Sequence, residues 1–185
     1  MEQARIVQLP VAPVRTDVRV ETERIVVERL VLNDPSLARF VEQRPEVERA
    51  PLVERAVDAY ARAVERAGAP PAEAVIGGHS FGGRVASLLA AAERPAGLVL
   101  LSYPLHRPGR PDERRTDHWP QIGCPVLLLS GDADPFARIE LLRDAAALLA
   151  EPRLVVYARR RHGLLSVADE AATEIAAFVA GLVGD

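Results

Sequence analysis

The run Ala74-Val75-Ile76-Gly77-Gly78-His79-Ser80-Phe81-Gly82-Gly83-Arg84, followed by Val85-Ala86-Ser87-Leu88-Leu89-Ala90-Ala91, leaves this chain few folding options. An apolar strand enters a glycine-lined turn around one serine, and a helix leaves it. The pattern is a G-x-S-x-G elbow, which holds the serine on a strained strand-to-helix turn and lifts its hydroxyl clear of the backbone. Gly78 and Gly82 are the flanking positions, where a Cβ is expected to collide with the neighbouring strand or helix. The helix N-terminus behind the serine favours developing negative charge. A glycine-rich turn with an incidental serine is the plainer alternative; the strand before and the helix after are the context that the motif requires.

Such an elbow needs a parallel sheet behind it, and the following text supplies one. Gly97 to Tyr103, Pro125 to Ser130 and Leu154 to Tyr157 are short apolar runs bounded by Gly or Pro, which read as buried strands. Helical segments fall between and after them at about 82–93, 135–150 and 167–183, with Ser166 and Asp169 offering a cap for the last. Strands apolar on both faces and separated by helices predict an α/β fold in three layers, a parallel sheet flanked by helices. The front third is less regular. Asp17 to Leu32 alternates as strands do, Asn33 to Ala50 reads as a polar loop with a short helix, and Leu52 to Ala67 is an amphipathic helix with Val53, Val57, Tyr60 and Val64 on one stripe. The break at Ala67-Gly68-Ala69-Pro70-Pro71 reads as a helix stop. One domain over residues 1–185 is expected, with an atypical or shortened N-terminal part.

Composition excludes several classes. A formal net charge of −3 gives no basic field for nucleic acid or anionic lipid. No apolar run approaches the roughly 18 residues of a membrane span, and Met1 to Arg5 do not lead into a secretory signal, so a cytoplasmic location is expected. Cys124 is the single cysteine, which leaves no intrachain disulfide and no cysteine metal cluster. All 23 basic residues are arginine, read as the bias of a GC-rich bacterial source; a lysine nucleophile, a Schiff base and a P-loop lysine are thereby excluded.

A serine hydroxyl is a poor nucleophile until a base takes its proton and an acid orients that base. Ser80 is followed along the chain by Asp134 and then by His162, both just beyond strand ends, where open parallel sheets place their functional loops. Asp134 is favoured as the acid because the Gly131-Asp132-Ala133-Asp134 spacing carries its carboxylate outward, although Asp before Pro135 is also an ordinary helix N-cap and Asp132 lies closer to the strand end. Among the other histidines, His79 adjoins the serine and is expected to point away from it, while His106 and His118 precede the acid. His162 could also be a plain solvent-exposed loop histidine. Arg159, Arg160 and Arg161 precede it, and their charge would disfavour an imidazolium. The Phe81 N–H is positioned by sequence as an oxyanion donor. The loop from Arg107 to His118 has neither metal-ligand spacing nor a Gly-rich cradle and is expected to be solvated and mobile; no metal site is expected.

Three stretches carry a family resemblance: Gly77-Gly78-His79-Ser80-Phe81-Gly82-Gly83-Arg84-Val85-Ala86, Leu101-Ser102-Tyr103-Pro104-Leu105-His106-Arg107-Pro108-Gly109, and Arg115-Thr116-Asp117-His118 running on to Pro125–Pro135. Across residues 74–165 the chain resembles the small α/β-hydrolase-fold family of the testis-expressed hydrolase-like protein, within a dienelactone-hydrolase-like grouping. A large histone-acetyltransferase-complex subunit shares that domain. The resemblance implies Ser80 as nucleophile, Asp134 as acid and His162 as base. The implied activity is that of a serine hydrolase cleaving a small ester or thioester, without a cofactor. Three departures stand beside it. His79 occupies a position where the family carries Lys or Arg, and three arginines precede His162 in place of small or acidic residues. Residues 1–67 contain neither glycine nor histidine, whereas the family opens with a His-Gly-rich turn that supplies half of the oxyanion hole. These departures favour the alternative, a hydrolase-like scaffold or interaction domain that keeps the elbow for packing and has lost turnover.

Overall fold

The structure is a computed structural model in which residues 5–6, 18–20, 25–27, 46–66, 68 and 70–183 are described. The strands are β1 (Arg5–Ile6), β2 (Val18–Val20), β3 (Ile25–Val27), β4 (Ala74–His79), β5 (Gly97–Leu101), β6 (Pro125–Gly131) and β7 (Glu151–Tyr157). The helices are α1 (Glu46–Arg66), α2 (Phe81–Glu93), α3 (Ile139–Ala146) and α4 (Ala168–Val183). Among the described residues the strands form one sheet in the order β2-β3-β1-β4-β5-β6-β7. β4 to β7 are parallel throughout, with Gly77 opposite Val99 and Leu100 opposite Leu128. β1 runs parallel to both β3 and β4, and β2 pairs antiparallel with β3.

Alternation within the strands sorts their side chains onto two buried faces. Ile76, Leu98, Leu100, Val126 and Leu128 join α1, α2 and α3 in one core cluster. Val75, Val99, Leu127 and Leu129 face the other way and pack with Ala171, Phe178 and Val179 of α4. Burial on both faces is why these strands read as unbroken apolar runs. The three-layer α/β architecture expected from the sequence is the one found. The stripe on α1 also behaves as expected, with Val53, Tyr60 and Val64 buried and Val57 packed beside them.

Several local expectations differ. α1 begins at Glu46, inside the segment read as polar loop; most of that segment, including 33–45, lies outside the described residues. β5 ends at Leu101 because Ser102 takes a left-handed backbone (φ 46°). α3 starts only at Ile139, since Asp134 accepts the Phe136 N–H at 2.8 Å in a local turn and the Arg138 N–H bonds the ring of His106 at 3.1 Å. α4 is entered through a 3-10 turn, Leu165–Val167.

The loop between β5 and β6 is not a solvated excursion. Tyr103, Leu105, His106, Thr116 and Trp119 are all buried. The Tyr103 hydroxyl donates to the Arg115 carbonyl at 2.5 Å, and its ring lies 5.0 Å from that of Trp119. His118 Nε2 sits 2.8 Å from Ser87 Oγ on α2, and the His106 N–H donates to the Phe136 carbonyl at 3.0 Å. Within the segment 107–118, expected to be solvated, Pro108 to Arg110, Asp112, Arg114 and Asp117 do face solvent, with Arg107 and Arg110 in ion pairs to Glu113, while Thr116 is buried.

β4 is held from α1 by one hydroxyl. Among the described residues β1 pairs with β4 at Ala74 and Val75, and at Gly77 the Tyr60 hydroxyl donates to the carbonyl at 2.8 Å and accepts the N–H at 3.1 Å. That hydroxyl thus satisfies both backbone groups of Gly77.

Candidate active site

The elbow forms where β4 meets α2. The Ser80 N–H donates to Leu101 O at 2.8 Å, and the Ser80 carbonyl accepts the Arg84 N–H at 3.1 Å to open the helix. Between these bonds the serine backbone is forced to φ 53°, ψ −120°. A non-glycine residue there costs on the order of 1–3 kcal/mol, which the surroundings must enforce. They do so by close approach. A Cβ on Gly78 would lie 2.6 Å from the Gly82 carbonyl carbon, one on Gly83 would lie 2.8 Å from Gly78 O, and one on Gly77 would lie 2.4 Å from Val99 O. Gly77, Gly78 and Gly83 thus each meet backbone at short range, and the Gly82 backbone is what Gly78 packs against. Phe81 opens α2, where first-turn amides have no intrahelical acceptor, so its N–H lies beside the serine as the sequence suggested.

The second loop follows β6. The Asp134 carboxylate is fully buried and accepts the Phe136 N–H at 2.8 Å. Asp132, the other candidate acid, is exposed and accepts the Arg159 N–H at 2.6 Å. The two carboxylates are thus separated by role: Asp134 faces the ring of His162, and Asp132 clips the loop that carries it.

That third loop follows β7 and is drawn against the second. The Ala133 N–H donates to Arg160 O at 2.9 Å, and a Cβ on Gly131 would lie only 2.1 Å from the same carbonyl. Arg159 turns the chain with a left-handed φ of 58°. His162 is thereby delivered with Nδ1 2.8 and 3.0 Å from the two Asp134 oxygens and Nε2 2.7 Å from Ser80 Oγ. A carboxylate only accepts, so Nδ1 carries the hydrogen of the neutral ring and Nε2 is left to accept the serine proton. The arginines beside it are peripheral, with Arg159 and Arg161 exposed.

Ser80, Asp134 and His162, expected from their order along the chain, are brought into one hydrogen-bonded line at the carboxyl ends of β4, β6 and β7. His106 and His118 are not in it. His79 reaches the loop after β7: its Nε2 lies 3.0 Å from His162 O and its ring 5.3 Å from the His162 ring. Phe136 also flanks that ring, at 4.5 Å. Neither Phe136 nor Gly131 was singled out from sequence. The signal for Gly131 was present, because a glycine closing a strand often marks a close backbone approach. Residues 7–17 and 28–45 of the glycine-free front, where a second oxyanion donor was sought, lie outside the described residues.

Cys124 is buried, and burial pushes its thiol up to about 11, so it stays protonated at neutral pH. Among the described residues no group of three or more His, Cys, Asp or Glu is arranged to hold a metal, and no helix is long and apolar enough to cross a membrane.

The backbone is similar to solved structures of lipases and esterases. The monoacylglycerol lipase of Paleococcus ferrophilus superposes with a TM-score of 0.60 at 17% identity, over 70% of this chain and 76% of that one. A thermophilic esterase from Thermogutta terrifontis gives 0.57 at 18% identity, over 68% and 71%. At such identities the likeness concerns the fold. Residues 37–178 match the alpha/beta hydrolase domain family. Because that match takes in the elbow, the loop after β6 and the loop after β7 together, the chain belongs to the alpha/beta hydrolase domain family.

Proposed function

We propose that this protein is a serine hydrolase acting on a small ester or thioester. Ser80 Oγ attacks the acyl carbon while His162 Nε2 takes its proton; the leaving alcohol or thiol departs with that proton, and the acyl group stays on the serine. Water, deprotonated by the same imidazole, then releases the acid and restores the hydroxyl. Asp134 holds the ring in the Nδ1–H tautomer and stabilises the imidazolium, and the Phe81 N–H donates to the oxyanion. This chemistry needs no cofactor.

The observation that carries the reading is the 2.7 Å separation of His162 Nε2 from Ser80 Oγ, with a buried carboxylate behind the ring. The finer kinship with the testis-expressed hydrolase-like proteins and the dienelactone hydrolases is part of the same proposal, on the Tyr103-Pro104-Leu105-His106 segment. So are a single domain, a cytoplasmic place of action and a small-molecule substrate. A binding role without turnover is the second reading. The exposed arginines beside His162 favour it, whereas the aligned serine, histidine and carboxylate are more than packing requires.

A fluorophosphonate probe is expected to label Ser80, and hydrolysis of p-nitrophenyl acetate is expected to fall at least ~10³-fold in S80A with the fold retained. A folded wild-type protein that is neither labelled nor active would leave the binding role standing.

A further inference from the structure

The residue before the nucleophile touches the loop that carries the base. His79 closes β4, and its Nε2 lies 3.0 Å from the backbone carbonyl of His162. A carbonyl oxygen only accepts, so His79 Nε2 carries the hydrogen and donates. The two residues are joined across 83 positions of chain, and their rings lie 5.3 Å apart at 56°. Phe136, from the loop that carries Asp134, lies 4.5 Å from the His162 ring at 42°. The imidazole is therefore contacted by one ring from the elbow and one from the acid loop.

Downstream of its tip, the loop bearing His162 is anchored by Leu164, buried in the α4-side core cluster. Upstream it is fastened through the Arg159 N–H to Asp132 and through Arg160 O to the Ala133 N–H, both on the β6 side. Nothing in that fastening fixes the loop relative to β4, on which Ser80 stands. The Asp134 bonds orient the ring from the same β6 side. Leu164, two residues beyond His162, packs in the cluster that includes Val75 of β4. Among the described residues, the hydrogen bonds that reference His162 itself to the nucleophile's strand are the serine–imidazole bond and the bond from His79.

We propose that His79 is a positioning residue, which registers the base loop against the elbow through its Nε2–H and keeps His162 Nε2 within reach of Ser80 Oγ. The inference rests on His162 acting as the base. It reaches beyond that reading by giving the residue between Gly78 and Ser80 a task in the geometry of proton transfer, with no contact to substrate. A lost tether lets the ring sample positions displaced from the serine, and misplacement of about 1 Å can cost on the order of 10²-fold in rate. Partial displacement predicts a smaller loss, in kcat and not in KM, because the acyl group is bound elsewhere.

The experiment compares H79Q, whose side-chain amide nitrogen lies the same number of bonds from the backbone, with H79L, which keeps bulk and loses the donor. With p-nitrophenyl acetate, H79L is expected to lower kcat about tenfold with KM within twofold, and H79Q to restore most of it. Equal kcat in H79L and wild type, or equal loss in H79L and H79Q, would overturn the proposal. If H79L does not fold, H79N takes its place, since its amide falls one bond short of the carbonyl. The downfield Nδ1 proton of His162, followed by NMR, gives a readout apart from turnover. It is expected to be sharp in wild type and H79Q and broadened by exchange with water in H79L. If wild type shows that resonance pattern but no turnover, the hydrolase reading fails and the tether stands; turnover with no difference among the variants fails the tether alone.

Discussion

Gly131→Ala adds one methyl group at the point where the loops after β6 and β7 touch, the loops that carry the proposed acid and base. The new Cβ would lie 2.1 Å from Arg160 O, 2.5 Å from the Arg160 carbonyl carbon and 2.7 Å from Arg161 O. All three obstacles are backbone, so no side-chain rotation relieves them. Ordinary contact begins at 3.4 Å, so the base loop must retreat from β6 by about 1.3 Å. His162 lies at the end of that loop, with 2.7 Å to Ser80 Oγ and 2.8 Å to the nearer Asp134 oxygen. A retreat of that size stretches at least one of these bonds out of range, since N–H···O bonds fade beyond about 3.2 Å. Misplacement on this scale corresponds to a loss on the order of 10²-fold in kcat. The same overpacking should lower stability by about 1–3 kcal/mol. Steady-state hydrolysis of p-nitrophenyl acetate beside a urea unfolding curve separates the two effects. A folded Gly131→Ala protein with wild-type kcat would refute the claim that this close approach sets the position of the base.

Two further outcomes are expected from the scaffold. Tyr60→Phe removes the hydroxyl that serves both backbone groups of Gly77. Leaving them unpaired should cost about 1–3 kcal/mol in urea unfolding, and a change below about 0.5 kcal/mol would mean that water replaces the hydroxyl. His118 is held neutral by its half-buried position, with the Arg84 charge adding to the effect and Asp117 opposing it, which lowers it from 6.5 to about 4. Its folded-state value lies below the unfolded one, so the unfolded chain binds more protons between those limits and stability falls as pH drops from about 6.5 to about 4. Partial exposure discounts the full linkage to about 1–2 kcal/mol between pH 7.5 and 5. His118→Gln keeps a donor toward Ser87 Oγ and should flatten that part of the profile; identical losses in the two proteins would exclude His118 as the source.

Much of this fold is written in short-range patterns. The elbow is legible because Gly77, Gly78, Ser80 and Gly83 lie within one turn, and the constraint they meet is steric and local. The parallel sheet is legible because strands buried on both faces must be apolar throughout. The chain order of Ser80, Asp134 and His162 could be read because the strand ends they follow share one rim of the sheet, where their side chains come within hydrogen-bonding distance. Other features depended on contacts between distant segments. Along the chain the spacing after Gly131 only favours Asp134 over Asp132; the bond from the Phe136 N–H and the approach of the β7 loop place one against His162 and the other against Arg159. Nor does the chain show that His79 meets a carbonyl 83 residues on. The loop from Arg107 to His118 is largely solvated as its charges suggest, whereas the anchors on either side, His106 to Phe136 and Arg138 and His118 to Ser87, exist only once α2 and the loop after β6 are packed beside it. Local propensity and periodicity choose the faces of an element, but hydrogen bonds between loops form only after the layers have closed.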